Sequence, residues 1–348
     1  MNKRSLLKTA LAAAALCAGG QALAQTVTLR LHQMLPAQAT IPAKAIVPWA
    51  QKVEKESNGR IKVQIFNAMQ LGGTPPQLFD QAKDGVVDIV WTLPGNTAGR
   101  FPRVEVFELP FMMSNAEATS KAYWEYVQTM APDEFKDVQV IALHVHGPGV
   151  IHTADRPVKT VADMKGLKMR APTRQVTKLM GILGATPVGM PLPNIPDALS
   201  KGTINGCVIP WEVVPSVKVQ ELTKYHAEFD PAGGALYTTT FVMAMNKAKY
   251  NSLPPDLKKV IDNNSGLATS AWLGKVQQAG DAAGRQSAVG RGNTIFTVGP
   301  AEAQEFRRKS RPIEAEWVED MNKKGFDGRK LLDTARALIE KNTKTTKS

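Results

Sequence analysis

The chain is poor in cysteine, aromatic residues and histidine, and it has no apolar run of bilayer length. Cys17 and Cys207 are its only cysteines among 348 residues. Cys17 falls in a leader segment, so the remainder cannot close an internal disulfide, which excludes a disulfide-stapled secreted scaffold. Aromatic residues reach 6%, yet 43% of the chain is apolar and 21% charged, which excludes wholesale disorder. The 27 glycines and 23 prolines follow no period, so a collagen-like repeat is excluded as well. No stretch approaches the roughly 20 consecutive apolar residues of a membrane-spanning helix. There is no G-x-S-x-G, no Walker loop and no G-x-G-x-x-G after a strand. A chain of this length buries about three-quarters of its unfolded surface and needs no staple, and it fits one large or two medium domains.

What is present begins with an export signal. Asn2-Lys3-Arg4 is a basic start, Leu6 to Ala18 is mostly Leu and Ala, and Ala22-Leu23-Ala24 has the form read by signal peptidase. Residues 1–24 therefore read as a signal peptide cleaved after Ala24, and the protein as periplasmic. A lipoprotein would use Cys17, but the preceding Leu16 is too large for the usual lipobox. Without Lys3, Arg4 and Lys8, the 43 basic side chains fall to 40 against 31 acidic ones, a net +9. Export and the scatter of these charges argue against a nucleic-acid partner; such a charge reports on solubility and steering.

Hydrophobic periodicity then alternates between strand and helix. Val27, Leu29 and Leu31 alternate with polar residues as a strand, followed by a helix carrying Ile46, Trp49, Ala50 and Val53. Ile61, Val63 and Ile65 form a second strand, a short helix runs from about Pro76 to Lys83, and Val86 to Trp91 is a buried strand. A similar order returns later: Leu167 to Arg170 as a strand, a helix after Pro172-Thr173, a strand from Thr186 to Met190, and a short helix from Pro196 to Lys201. The stretch from Lys83 to Val90 is echoed by the stretch from Lys201 to Val208, and both strands run into proline loops, Leu93-Pro94-Gly95 and Ile209-Pro210-Trp211. Such alternation implies α/β architecture with largely parallel sheets, here in two similar lobes. Phe241 to Met245 and Ile295 to Val298 add strands. A long helix is expected from Pro254 to about Arg285, weakest near Gly266, and helix again from Ala301 to Lys341 with a break at 325–328.

The decapeptide Asp163-Met164-Lys165-Gly166-Leu167-Lys168-Met169-Arg170-Ala171-Pro172 resembles the substrate-binding proteins of tripartite ATP-independent periplasmic (TRAP) transporters, of the DctP type. Leu71-Gly72-Gly73, the Gly85-to-Asp88 turn, Glu108-Leu109-Pro110-Phe111, Gly184-Ala185-Thr186-Pro187 and Leu253-Pro254 follow in the matching order, so the resemblance covers nearly the whole chain after the leader. It implies a periplasmic binding protein fold of two lobes, each a mixed, mostly parallel sheet with flanking helices. A hinge and a long helix would join them. Lobe I is expected over 25–147 plus about 238–280, and lobe II over 148–237 plus about 281–348. It also implies capture of a small organic acid, closure by hinge motion, and delivery to membrane permease subunits, without a cofactor or catalysis. A monomer is the expected state.

The resemblance places the residue that pairs with a substrate carboxylate at Arg170, whose guanidinium offers a planar two-donor fork. Thr173 is positioned to cap the next helix, and Arg174 is a secondary candidate that would otherwise sit in solvent. Where sialic-acid-binding members carry a second arginine, a glutamate and an asparagine, this chain has Val150, Leu93 and Ile209. Three polar contacts have become apolar, which argues against a polyhydroxylated sugar acid. The expected ligand is a monocarboxylate with an aromatic or otherwise apolar body, such as a 2-oxo or 2-hydroxy arylacid. Trp211 would stack on its ring or else belong to the core, Pro94 and Leu192 would help close the apolar wall, and His32 would donate to the 2-oxygen. The alternative is an exported cleft hydrolase with a histidine as base; a sensor in place of the permease is a third reading. His144 and His146 lie two apart on a strand-like stretch and read as a core pair or, with a further ligand, as half of a metal site. No metal is expected. Cys207 sits in an apolar strand and reads as an inert thiol.

Overall fold

The computed structural model describes residues 26–347; the leader and its cleavage site lie outside the described residues. Among the described residues, eleven strands form two mixed sheets. The first contains β1 (Val27–Gln33), β2 (Ile61–Phe66), β3 (Ile89–Thr92), β4 (Val138–Val145) and β10 (Thr240–Asn246), in the order β2-β1-β3-β10-β4. Here β2, β1 and β3 are parallel, while β10 runs antiparallel to both of its neighbours. The second contains β5 (Gly149–Thr153), β6 (Lys168–Ala171), β7 (Thr186–Gly189), β8 (Gly206–Pro210), β9 (Tyr225–Phe229) and β11 (Thr294–Val298), in the order β11-β9-β5-β8-β6-β7. Only β5 is antiparallel to its neighbours there.

The echoed segments occupy equivalent places. A six-residue helix, Leu78–Lys83 in one lobe and Ile195–Ser200 in the other, is followed by a glycine at positive φ, Gly85 at 77° and Gly202 at 66°, and then by a buried strand. That strand, β3 or β8, runs parallel beside β1 or β6. Both faces of these sheets are covered by helices, so β3, β8 and β10 are buried at every residue, as expected for strands sandwiched on both sides.

Elements not anticipated above complete the lobes, among them a long helix and a strand. The Ala116–Met130 helix is capped by Asn115, whose side chain accepts from the Ala118 amide at 2.9 Å. It packs on the Leu267–Ala279 and Gly328–Lys347 helices. Strand β9 lies between β5 and β11 in the second sheet.

The long helix expected from Pro254 is three helices, Pro255–Asn263, Leu267–Ala279 and Asp281–Gly290. Gly266 takes φ 93°, which no helix accommodates, and the Trp49 indole donates to the Asn264 carbonyl at 2.8 Å, so the first break is built into the packing. The second break, at Gly280, carries the chain across the lobes: Leu267–Ala279 packs on β4, and Asp281–Gly290 packs on residues 211–213. The assignment of 281–348 to lobe II is likewise corrected. The Pro300–Lys323 helix packs on the Arg174–Ile182 helix of lobe II, but Gly328–Lys347 returns to lobe I, where its apolar face covers Ala116–Met130.

The chain therefore passes between lobes at residues 146–148, 230–239, 280 and 324–327. His146 ties the first two crossings together. Its Nδ1 donates to the Gly147 carbonyl, its Nε2 accepts from the Thr239 amide at 3.1 Å, and its own carbonyl accepts from the Thr238 hydroxyl at 2.8 Å.

Candidate functional site

Between the two sheets lies a cavity walled by the chain segments that leave β3 and β8, by β10 and by the crossing at 237–239. The room open to the centre of a water molecule is about 40 Å³. One water needs ~10–15 Å³ on that measure and takes ~30 Å³ of liquid, so the space suits three or four waters or one ring with a small substituent.

Arg170 supplies the charge. It sits in β6 between β7 and β8, and is 3% exposed. Its Nε donates to the Met190 carbonyl at 3.0 Å and its Nη1 to the Val208 carbonyl at 3.2 Å. These two bonds fix the plane of the guanidinium and leave further donors toward the cavity. Among the described residues Arg170 forms no ion pair. Burial lowers its pKa to about 10, so it is still charged at neutral pH. An unpaired charge held out of water is costly, and an anion placed against it relieves that penalty.

Three aromatic side chains shape the rest. Trp91 and Phe241 lie nearly parallel, 10° apart with centroids at 4.8 Å, and both line the cavity. The Trp91 indole is held by donating to His144 Nε2 at 2.8 Å. Tyr237, also on the wall, meets His146 edge-on at 5.5 Å, and its buried hydroxyl has no hydrogen-bond partner. Burial pushes that phenol well up, and the Arg170 charge acts on it in the opposite direction, so it stays a neutral donor near the guanidinium. On another part of the wall, Glu212 accepts from Gln277 at 2.7 Å.

Of the residues singled out by sequence, Arg170, Leu93, Ile209 and Leu192 line this cavity. Trp211 is not on its wall. It begins a 3₁₀ turn, Trp211–Val213, where successive side chains rotate by about 120°. Its ring turns into lobe II, edge-on to His152 at 5.1 Å, and its indole donates to Glu228 at 2.9 Å. Glu212 and Val213 take the wall instead. His32 has both ring nitrogens engaged, with Gln81 at 2.7 Å and with the Leu71 amide at 3.3 Å, so it holds a loop and leaves nothing for a ligand. Val150 faces Ile209 across the β5–β8 ladder, one strand further from Arg170, inside the core. Pro94 is buried at the start of a 3₁₀ turn, where its carbonyl accepts from the amide and the hydroxyl of the C-cap residue Thr97.

Sequence reasoning missed Tyr237, Phe241, His146, Glu212 and Gln277 as wall residues. Trp91 was visible only as the end of an echoed strand. Burial lowers His144 to about 3 and His146 to about 4, so both are neutral, and protein groups hold both in place. Burial likewise raises the Cys207 thiol to about 12.

Arg174 lies outside the cavity and bridges the lobes. Its guanidinium meets Glu105 of lobe I at 2.6 Å and Asp320 at 3.1 Å, and Gln175 also donates to Glu105 at 2.6 Å. Arg174 is 28% exposed at its side chain and Glu105 7%. Discounted for that exposure, such a charge-assisted pair contributes about 1–2 kcal/mol to the closed arrangement. Arg174→Ala is expected to enlarge the radius of gyration of the ligand-free protein in X-ray scattering and to weaken ligand binding about 5- to 30-fold. Scattering curves that superimpose with wild type would dismiss this latch.

The sequence matches the family described as DctP, bacterial extracellular solute-binding protein, family 7, over residues 32–320. Among solved structures it is 69% identical to a TRAP solute-binding protein of Rhodoferax ferrireducens T118 in complex with copurified benzoate, with TM-score 0.92, covering 92% of this chain and 100% of that one. It is 49% identical, with TM-score 0.90, to a marine metagenome TRAP protein specific for aromatic acid ligands, in complex with 3-hydroxybenzoate, covering 91% of this chain and 99% of that one. A Bordetella bronchiseptica protein with bound (R)- and (S)-mandelate is 28% identical, with TM-score 0.82, covering 90% of this chain and 99% of that one. All three are solute-binding proteins. The matched length, the two mixed sheets and the buried unpaired arginine between them agree: the chain belongs to the DctP-type family of periplasmic solute-binding proteins that serve TRAP transporters.

Proposed function

We propose that this protein captures an aromatic monocarboxylate of about the size of benzoate. The carboxylate pairs with Arg170, the Tyr237 hydroxyl donates to it, and the ring lies along the Trp91–Phe241 wall. The observation that carries this reading is Arg170 itself: charged, buried and unpaired, at a cavity whose other walls are mainly aromatic and aliphatic. Benzoate, 3-hydroxybenzoate and mandelate in the related proteins support it. A sugar acid fits poorly, because each hydroxyl left unpaired against Leu93, Ile209 or Leu192 costs about 1–3 kcal/mol. Closure of the lobes then presents the loaded protein to its permease, and export proceeds with cleavage after Ala24.

Thermal-shift measurements over a panel of acids test the assignment. A ligand at 100 times its Kd adds ~2.7 kcal/mol, which for a chain of this size raises Tm by about 4 °C. Benzoate and substituted benzoates are expected to give such shifts, while succinate, glucuronate and galactonate give none. The reverse pattern would reject the aromatic assignment.

A further inference from the structure

Two adjacent wall groups of this cavity keep an unpartnered oxygen once a benzoate is placed, Glu212 and the Gln277 that donates to it, and of these only Glu212 can carry a charge. Glu212 is buried, its Oε1 accepts from Gln277, and its Oε2 has no hydrogen-bond partner. The Thr40 side chain stands close enough to favour the charged form of Glu212, but it does not come within hydrogen-bond geometry of Oε2. The backbone holds Glu212 firmly: its amide donates to Asp281 at 2.9 Å, and the Asp281–Gly290 helix packs on residues 211–213. At Gly284 of that helix a Cβ would stand 1.9 Å from the Trp211 carbonyl oxygen, so the glycine lets the helix clamp the turn that aims Glu212 inward.

Arg170 and Glu212 belong to different parts of the wall. Arg170 Nη1 is hydrogen-bonded to the Val208 carbonyl, whereas Glu212 lies past the end of β8 in the following turn, with extended strand at about 3.3 Å per residue between them. A ring anchored by its carboxylate at Arg170 therefore presents its far edge, not its ortho position, toward Glu212. A buried oxygen with no partner selects for a ligand that brings one.

From this we infer that Glu212 is a specificity residue that binds a ring hydroxyl meta or para to the carboxylate, so the preferred ligands are hydroxybenzoates rather than benzoate. The inference rests on the aromatic-acid reading above and refines it. Burial raises the Glu212 carboxyl to about 7, and the Asp281 beside it is raised to about 8 by burial and by the Glu212 charge. A hydroxyl suits either state, since it donates to the carboxylate and both donates to and accepts from the acid. The 2-hydroxyl recognition expected of His32 has no counterpart, because that imidazole is fully engaged.

The test is titration calorimetry of the wild-type protein with benzoate, 2-, 3- and 4-hydroxybenzoate, and 3- and 4-methoxybenzoate, repeated with Glu212→Gln and Glu212→Leu. In wild type, 3- or 4-hydroxybenzoate is expected to bind at least tenfold more tightly than benzoate, with 2-hydroxybenzoate and the methoxy compounds gaining nothing. In Glu212→Leu the ratio of the hydroxybenzoate Kd to the benzoate Kd should move to about one, with Glu212→Gln between. Equal affinity of wild type for benzoate and all hydroxybenzoates overturns the inference even if no variant folds, as does a preference that survives Glu212→Leu. Failure of every aromatic acid to bind strikes the underlying reading instead.

Discussion

Arg170→Ala is expected to abolish tight binding of the carboxylate ligand. Removing one partner of a buried, hydrogen-bonded charge pair costs about 2–5 kcal/mol, which is roughly 30- to several-thousand-fold in Kd. The ligand-free protein should keep nearly its full thermal stability. The variant loses the bonds to the Met190 and Val208 carbonyls but also loses an uncompensated charge from the interior, and these effects oppose each other. That combination separates a binding role from a scaffolding one. Arg170→Lys should restore only part of the affinity. A lysine carries the charge, yet it cannot satisfy both carbonyls and still offer two parallel donors to a carboxylate. Calorimetry that finds Arg170→Ala within about twofold of wild type would remove the carboxylate assignment.

Gly149→Ala is expected to damage both stability and binding through Tyr237. Gly149 opens β5 where the chain first crosses between lobes, and its amide donates to the Tyr237 carbonyl at 3.0 Å. A Cβ there would stand 1.9 Å from Tyr237 Cε1 and within 2.5 Å of two more ring atoms. The ring is fully buried against His146 and has no room to retreat without dragging its hydroxyl away from the guanidinium. Overpacking of this kind costs typically 1–3 kcal/mol of stability. The lost donation to a charged ligand weakens binding about tenfold or more. Chemical denaturation measures the first effect and calorimetry the second. Because the clash is with this one ring, adding Gly149→Ala to Tyr237→Leu should cost much less stability than adding it to wild type. An equal cost in both backgrounds would show that the glycine serves something other than the tyrosine.

The alternating strands and helices, the echoed helix–glycine–strand units and the position of Arg170 were all legible in the sequence, and the reasons are local. A strand buried on both faces reads as an apolar run, as in Ile89-Val90-Trp91 and Cys207-Val208-Ile209. A glycine at positive φ follows each short helix, and the resemblance around Arg170 lies within a single decapeptide. The direction of a side chain within a turn, and the choice of which of several polar groups stays unpaired, are not local properties. Trp211 and Glu212 are adjacent in sequence, yet the 3₁₀ turn sends the tryptophan to Glu228 and the glutamate to the cavity. His32 looked free at a strand end until the loop at Leu71 and the helix at Gln81 closed on both of its nitrogens. Tyr237, Phe241 and Gln277 reach the site from segments that carry no motif, because chain crossings between the lobes bring them there. In the sequence by itself, periodicity and the echoed units carried the α/β alternation, and the resemblance around Arg170 carried the two lobes and the expectation of an anion. The shape and polarity of the pocket around that anion were decided only by tertiary packing, since they depend on which side chains the protein's own hydrogen bonds leave over.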